Sequence, residues 1–196
     1  MEKPFSQACE NNKRPILEVI KHYFANTHSV LEIGSGTGQH AVYFAAHLPQ
    51  LKWQTSDRKE NHSGIHLWLQ EYEGKNLLPP LALDVTQPWP VSHAEGIFSA
   101  NTSHIMSWQM NCCFFAEVGN VLNSGGYFCL YGPFNINGHF TSDSNERFDH
   151  YLRSQNAEMG IRNFEDLNAL AEQAQLTFVK QHAMPANNMI LVWQRN

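Results

Sequence analysis

The segment from residue 29 to residue 48 places an apolar strand, a glycine-rich turn and a helix in immediate succession. The turn carries glycines at positions 34, 36 and 38. The helix after it has one apolar stripe at helical spacing, which is formed by Ala41, Phe44, Ala45 and Leu48. Glycines between a strand and a helix permit positive φ angles and let a ligand approach bare backbone beside the helix N-terminus. This unit therefore predicts an α/β fold with a ligand at the turn.

The remaining sequence continues to alternate strand and helix patterns, as is typical of α/β proteins. We predict strands at residues 52–55, 81–83, 96–100, 127–131, 177–182 and 189–194, the last two forming a hairpin. The first predicted helix has Pro15 in its first turn behind a cap at Asn11 or Asn12. Two further helices are predicted to begin at a Ser63 cap and at Asn163, and two more to cover residues 108–122 and 146–153. The first five strands should be parallel, with the last strand antiparallel to them. No linker or repeat divides the chain, so residues 1–196 are expected to form one domain.

Polar residues stand at the carboxyl ends of four successive predicted strands. They are Glu32 beside the glycine turn, Asp57, Asp84 and Asn101. Each of them alone could cap a helix, but ligands of open α/β sheets bind outside the carboxyl ends of the strands. Asp57 follows the glycines by about twenty residues, where an acidic side chain can accept both hydroxyls of a ribose. The pattern therefore indicates a site for a nucleoside.

The spacing of the glycine turn argues against two common nucleotide sites. A dinucleotide-binding turn takes a third glycine or alanine at position 39, where this chain has Gln39. No Lys-Ser/Thr pair follows the loop, so the sequence is not a phosphate-binding P-loop.

Composition narrows the class of protein further. The formal net charge is -5, which disfavours a general nucleic-acid binder because such proteins need a basic surface. The four cysteines form no CxxC pair, and we expect them to be reduced. His62 and His66 have a metal-ligand spacing, but we expect Ser63 to begin a helix between them and we predict no metal site. Without a signal peptide or a long apolar run, the chain is expected to be cytoplasmic and to make no membrane contact.

The run from Val30 to Ala41 resembles motif I of class I methyltransferases. Across most of the chain, the sequence is similar to the DUF938 family, the group that includes methyltransferase-like protein 26. The segments that carry this similarity are residues 4–6, 12–13, 15–17, 34–40, 101–108, 132–134, 144–145, 148–149 and 160–162. The resemblance implies a Rossmann-like fold with a seven-stranded, mostly parallel sheet in the order 3-2-1-4-5-7-6, an antiparallel C-terminal hairpin and helices on both faces. It also implies S-adenosylmethionine as cofactor, and it implies no particular acceptor.

The cofactor has a sulfonium, an ammonium and a carboxylate group, which suits the acidic residues at the strand ends. We expect Glu32 to help hold the ammonium, Asp57 the ribose, and Asp84 with Val85 the adenine edge. The full set of predicted cofactor contacts is Asn12, Glu32, Gly34, Ser35, Gly36, Thr37, Gly38, Asp57, Arg58, Asp84, Val85 and Asn101.

We predict His104, Asn101 and Trp108 as catalytic residues. His104 follows the fourth strand and is a candidate general base, since the unperturbed pKa of histidine is about 6.5. A structural histidine is the alternative. Trp108 with Tyr131 would form an aromatic wall near the methyl group, or both would fill the core. The polar stretch from residue 134 to residue 148 is the candidate lid over the acceptor.

The sequence thus predicts methyl transfer from S-adenosylmethionine to a small molecule or a protein side chain. The run that begins Asn101-Thr102-Ser103 lacks the Asn/Asp-Pro-Pro-Tyr/Phe pattern of enzymes that methylate planar amines. Two alternatives remain open. One is a binding module that keeps the cofactor and lacks catalysis, and the other is a nicotinamide-dependent oxidoreductase, which Gln39 and the terminal hairpin disfavour. The oligomeric state is not predicted.

Overall fold

A computed structural model describes residues 2–196, so Met1, the first residue of the predicted domain, lies outside the described residues. Within them, the helices are α1 (Gln7–Tyr23), α2 (Gln39–His47), α3 (His62–Leu69), α4 (Trp108–Val121), α5 (Asp143–Gln155) and α6 (Phe164–Gln173). The strands are β1 (Ser29–Ile33), β2 (Lys52–Asp57), β3 (Leu77–Ala82), β4 (Ala94–Ala100), β5 (Leu122–Gly132), β6 (Phe134–Asn135), β7 (Arg162–Asn163), β8 (Leu176–Met184) and β9 (Asn188–Arg195). Two short 3-10 turns cover Lys59–Asn61 and Pro185–Asn187.

Seven strands form one sheet in the order β3-β2-β1-β4-β5-β9-β8, and β6 pairs with β7 separately. The pairs among β1 to β5 are parallel, whereas β9 runs antiparallel to β5 and to β8. Counting only the strands of the large sheet, this is the predicted order 3-2-1-4-5-7-6, which is confirmed together with the antiparallel hairpin. The strand order reverses between β1 and β4, and ligands of such sheets bind in the crevice at that reversal.

Apolar side chains fill two cores, one on each face of the sheet. On one face, α1 and α2 contribute Ile16, Ile20 and Phe44. On the other face, α4 and α6 contribute Phe115 and Leu167. The prediction of helices on both faces is confirmed, and burial of these stripes fixes how each helix lies on the sheet.

The first helix has its cap at Ser6, five or six residues before the predicted cap at Asn11 or Asn12, and Pro15 lies inside it. The Ser6 hydroxyl caps it by accepting a hydrogen bond from Cys9 N at 3.3 Å. The predicted cap at Asn11 or Asn12 was wrong because Pro15, although it cannot donate to the carbonyl four residues before it, does not end this helix. Asn12 instead lies on the buried face of α1, one turn before Ile16.

Three other boundaries also differ from the predictions. Ser63 does not cap α3, which begins at His62 after the 3-10 turn, so His62 lies inside the helix. The edge strand β3 is longer than predicted and contains Pro79 and Pro80, which an edge position tolerates. Residues 123–126 were predicted to end the preceding helix, but they belong to β5, which pairs with β4 from Leu122 onward.

The polar stretch after β5 is more ordered than the predicted loop. It contains β6, an isolated bridge between Ile136 and His139, and the start of α5 at Asp143. The Ser142 hydroxyl caps α5 by accepting from Asn145 N at 3.2 Å. In residues 2–196, no helix has the length and apolar character needed to cross a membrane.

Candidate active site

The glycine turn is fastened to the end of β2. Gly34, Gly36 and Gly38 have φ angles of 74°, 58° and 90°, in the left-handed region that favours glycine. The backbone N–H groups of Gly34 and Ser35 both donate to Ser56 O at 3.0 Å. Gly36 N donates to Asp57 Oδ2 at 2.7 Å. The glycine turn and Asp57, the residue predicted to bind the ribose, are therefore joined directly by a hydrogen bond.

Gly34 and Gly36 differ in the space around them. A Cβ atom on Gly34 would lie 2.6 Å from Thr102 Cγ2, whereas a Cβ on Gly36 would meet nothing within 4 Å. Gly34 is thus required by packing between the turn and the segment after β4. Gly36 instead leaves an open, exposed stretch of backbone at the sheet edge.

We expect Gly34→Ala to lower the free energy of unfolding by about 2–4 kcal/mol, because it combines overpacking with a strained left-handed alanine. Urea denaturation measures this change. Adding Thr102→Ser removes the clashing methyl group and keeps the hydroxyl that lies 2.7 Å from Ser99 Oγ. The double variant should recover the part of the loss that comes from overpacking, while the strain of the left-handed alanine remains. No recovery would mean that Thr102 does not limit the space at Gly34.

The carboxylate of Asp57 is nearly saturated with hydrogen bonds. Oδ1 accepts from Arg58 N and from Asn61 Nδ2, both at 2.7 Å, in addition to the Gly36 bond at Oδ2. A carboxylate offers about four lone-pair positions, so one remains on Oδ2, which faces the turn. The Arg58 guanidinium is exposed and lies 3.2 Å from Glu60, so Arg58 meets Asp57 through its backbone.

Asp84 and Val85 lie beside Asp57 at the same sheet edge. Leu83 N donates to Asp57 O at 3.0 Å. Asp84 Oδ1 accepts from the backbone N and the hydroxyl of Thr86, and these bonds lower the pKa of Asp84, with a smaller lowering from the Arg58 charge. Val85 is buried. The structure thus places Gly36, Asp57 and Asp84 at the same carboxyl edge of the sheet, and their contact with a cofactor stays a prediction.

Glu32 is buried and accepts a hydrogen bond from the glycine turn. Only 2% of the residue is exposed, and its Oε2 accepts from Ser35 Oγ at 2.8 Å and from Trp53 Nε1 at 3.1 Å. Burial raises the pKa of Glu32 to about 7, against the lowering effect of these two donors, and the charge of Asp57 raises it further. Its contact with a cofactor ammonium stays a prediction. The Ser35 and Thr37 hydroxyls also point inward, to Glu32 and to Gln39.

The raised pKa of Glu32 gives stability a defined pH dependence. The folded state holds this proton more tightly than the unfolded chain, so the contribution is fully present below about pH 4.5 and is lost as the pH rises to about 7. We expect Glu32→Gln, which stays neutral, to gain about 3 kcal/mol over the natural protein between pH 4.5 and pH 8. Urea melts across that range measure the difference, with the exposed Glu146→Gln as control. An equal difference at all pH values would contradict the raised pKa.

Two side chains after the glycine turn hold the N-terminal segment over it. Gln39 Oε1 accepts from Ser6 N at 2.6 Å, and Gln39 Nε2 donates to Glu10 Oε1 at 3.0 Å. His40 Nε2 lies 2.6 Å from Asn12 Oδ1. Burial lowers the pKa of His40 to about 4, so the neutral ring donates its proton to Asn12. The start of α1 is thereby joined to the start of α2.

A cavity of about 410 Å³ opens next to this joint, above the ends of β4 and β5. Its lining includes Asn12 of α1, Asn101 after β4, Tyr131 and Pro133 at the end of β5, and Phe148 of α5. Asn101 has a left-handed φ of 58° and donates its N–H to Tyr131 O at 2.9 Å. Phe148 belongs to the stretch that we predicted as a lid.

The structure places the other two predicted catalytic residues outside the lining of this cavity. His104 is buried with its ring 5.3 Å from that of Phe148, and burial lowers its pKa to about 4, with a further lowering from Arg162. A base with that pKa is weak at neutral pH. Trp108 is the first residue of α4 and is 41% exposed, so it forms no wall of the cavity. Its predicted role was wrong because α4 starts with this residue on the solvent side.

Sequence reasoning missed several residues that shape the site. Gln39 was interpreted only as evidence against a dinucleotide-binding turn, although its side chain holds the N-terminal segment by accepting from Ser6 N. Asn145 lies on the cavity and bonds to the hairpin connection, donating to Asn187 O at 3.0 Å. Asn12 was predicted as a cofactor contact, and its burial was also readable, because it continues the buried face of Ile16 and Ile20 at a spacing of four residues. No local signal marks Asn145, whose partner is 42 residues away.

Comparison with a family model decides the identity of the chain. The model described as "Protein of unknown function (DUF938)" matches residues 3–195. The chain belongs to the DUF938 family. The resemblance inferred from the glycine turn and from the segments after β4 is therefore confirmed, and the fold of this DUF938 protein is that of class I S-adenosylmethionine-dependent methyltransferases.

Solved structures of methyltransferases share this fold at low sequence identity. An O-methyltransferase family 2 protein from Planctomyces limnophilus, in complex with apigenin, has a TM-score of 0.84 at 15% identity, over 96% of this chain and 58% of its own. Human N-acetylserotonin methyltransferase with S-adenosylmethionine gives 0.81 at 14% identity, over 97% of this chain and 53% of its own. The apo methyltransferase SibL gives 0.79 at 18% identity, over 96% and 55%. The DUF938 protein spans little more than half of the length of these proteins.

Proposed function

We propose that this DUF938 protein transfers a methyl group from S-adenosylmethionine to a small molecule bound in the cavity above β4 and β5. The observation that carries the proposal is the juxtaposition of two sites. The open backbone of Gly36 lies on the Asp57 carboxylate. The cavity begins on the other side of Asn101, whose neighbour Thr102 packs on Gly34.

The residues at the turn fit this cofactor. Asp57 has a lone pair on Oδ2 that can accept from a ribose hydroxyl. For the adenine, Val85 offers an apolar contact and the Asp84 carboxylate offers a hydrogen-bond acceptor. The absence of any atom within 4 Å of a Gly36 side-chain position leaves room for a ligand against the backbone. When bound, S-adenosylmethionine supplies an electrophilic methyl group on a positively charged sulfur.

The chain itself contributes positioning and exclusion of water. Asp57, Asp84 and Val85 would orient the nucleoside, while Asn101 and Tyr131 stand between the turn and the cavity. Phe148 and the hairpin connection at Ala186 line the cavity, and their apolar side chains would displace water from a bound acceptor. Holding two reactants in a fixed orientation accounts for a large share of the rate enhancement in such transfers.

Calorimetry tests the cofactor assignment directly. We expect S-adenosylhomocysteine to bind with one-to-one stoichiometry and NAD⁺ not to bind. Binding of NAD⁺ alone would favour the oxidoreductase alternative. Incubation with methyl-labelled S-adenosylmethionine and a fractionated small-molecule extract then separates an enzyme from a binding module. Cofactor binding without transfer to any fraction would favour the module.

A further inference from the structure

The polar side chains that line the cavity are all uncharged. Besides the Tyr131 hydroxyl, they are Asn11, Asn12, Asn101, Ser144, Asn145 and Asn188. No Asp, Glu, Lys, Arg or His of residues 2–196 lines this cavity. Aromatic and other apolar side chains, among them Phe148 and Pro133, complete the wall. Such a surface suits a mostly apolar molecule with a few neutral hydrogen-bonding groups.

Backbone strain marks the same cavity. Asn101 has a φ of 58°, and Ala186 has φ 57° and ψ 38°, a left-handed conformation that is costly for alanine. Strained residues of this kind concentrate at ligand sites, where the surrounding structure holds them in place. Asn188 Nδ2 donates to Pro185 O and Ala186 O, which fixes the strained connection at the cavity rim.

The ionisable groups behind the lining on α1, α2 and the segment after β4 are at most weak bases at neutral pH. Glu32 of β1, whose pKa burial raises to about 7, lies outside the lining with Ser35 and Trp53 as its donors. His40 behind Asn12 and His104 behind Phe148 both have a pKa lowered to about 4 by burial. On α1, Glu10 is paired with Lys13, and burial raises the pKa of the Cys9 thiol.

The ionisable groups on β5, on α5 and after α5 are equally unsuited to remove a proton from the acceptor. Burial raises the pKa of Tyr131, an effect that nearby Asn12 partly offsets. Asp149 bonds to Arg153 and to Ile161 N, and Arg162 donates to the carbonyls of Met106 and Glu158.

We infer that the acceptor is a small, uncharged, largely aromatic molecule methylated at a thiol sulfur or an unprotonated ring nitrogen. This inference rests on the proposed function. Such an atom attacks with an electron pair that it already holds at neutral pH, so the enzyme removes no proton. A bond forms from that atom to the methyl carbon, the carbon–sulfonium bond breaks, and its electron pair remains on the cofactor sulfur as a neutral thioether. A thiol loses its proton to water and reacts as the thiolate, whose charge the sulfonium would offset, and a methylated ring nitrogen keeps the positive charge.

Four two-ring probes of matched size test the inference. They are isoquinoline, naphthalene-2-thiol, 2-naphthol and 2-naphthoate. Calorimetry on the protein loaded with S-adenosylhomocysteine is done at a pH between the pKa of the isoquinoline nitrogen and that of the thiol, where both are uncharged. It should show binding of the three probes that are uncharged at that pH and about tenfold weaker binding of 2-naphthoate, since no cation offsets its charge. Asn11→Lys adds a cation at the rim and should recover naphthoate binding. Gln155→Lys adds the same charge at the end of α5, outside the cavity lining, and should not.

Labelled methyl transfer provides the second readout. Isoquinoline or the thiol should be methylated, and 2-naphthol should react at least about 100-fold more slowly, because the cavity lacks a base. The kcat/KM for the thiol should rise about tenfold per pH unit up to the thiol's own pKa, and that for isoquinoline should level off above the pKa of its nitrogen. If the pH profile of kcat/KM had the same apparent pKa for every acceptor, that pKa would belong to a base of the enzyme, and the inference would be overturned.

The remaining outcomes separate this inference from the proposed function. Faster transfer to 2-naphthol than to the thiol and isoquinoline would overturn the inference alone. Tight binding of 2-naphthoate by the natural protein, or binding of none of the probes to protein that does bind S-adenosylhomocysteine, would also overturn it alone. Failure to bind S-adenosylhomocysteine would overturn the proposed function.

Discussion

Replacing Gly36 with asparagine is expected to weaken the binding of S-adenosylhomocysteine by at least about 100-fold while leaving the fold intact. Asparagine tolerates the left-handed backbone better than most residues, so the φ of 58° can persist. Its side chain would project into the open space over the turn, where nothing lies within 4 Å. That space is the one the cofactor would take. Calorimetry gives the affinity and urea denaturation gives the stability.

Gly125 provides a matched control for this substitution. It has a φ of 79°, has nothing within 4 Å of its side-chain position and lies in β5 at the opposite end from the turn. Gly125→Asn should show the same small loss of stability and unchanged affinity. Equal affinity in both variants would mean that the cofactor does not lie against Gly36.

Replacing Asp57 with alanine is expected to weaken binding of S-adenosylhomocysteine by about 100-fold, because a charged hydrogen bond to the ribose contributes about 1.5–3 kcal/mol. The substitution also frees three donors, Gly36 N, Arg58 N and Asn61 Nδ2, and should lower the free energy of unfolding by about 1–3 kcal/mol. Affinity and stability are therefore both measured for this variant.

A double-mutant cycle separates the ribose contact from general damage to the turn. The natural protein and Asp57→Ala are each titrated with S-adenosylhomocysteine and with its 2′-deoxy analogue. We expect the missing hydroxyl to cost the natural protein at least about 1.5 kcal/mol and to cost the variant little. Asp166→Ala, an exposed position in the first turn of α6, serves as control. Equal losses in both proteins would place the hydroxyl away from Asp57.

The parts of the site that were predictable from the sequence are those whose geometry is local. The strand, the glycine turn and the helix between residues 29 and 48 follow from adjacent residues. Because parallel strands end at the same edge of the sheet, Asp57 and Asp84 were expected at that edge even though the helix boundaries were predicted less accurately. The order of the sheet came from the family resemblance, which carries information that periodicity alone does not hold.

The parts that were not predictable depend on contacts between distant residues. Pro15 looked like a helix start, but the helix begins at Gln7, and the backbone N–H of its cap Ser6 donates to Gln39 Oε1. His104 followed a strand end, as a catalytic base would, and only its burial against Phe148 shows why its pKa is low. Trp108 carried no signal that distinguishes an exposed first helical residue from a cavity wall.

The cavity is assembled from positions that lie far apart in the chain, from Ala8 on α1 to Asn188 at the start of β9. During synthesis on a ribosome, α1 stays without its partners in the β8–β9 hairpin until about 165 residues after Tyr23 have been added, because β9 begins at Asn188. Tyr23, for example, reaches His182 at 2.7 Å only after β8 exists. A nascent chain can thus complete the glycine turn well before β9 exists, and it completes the cavity only once β9 has begun.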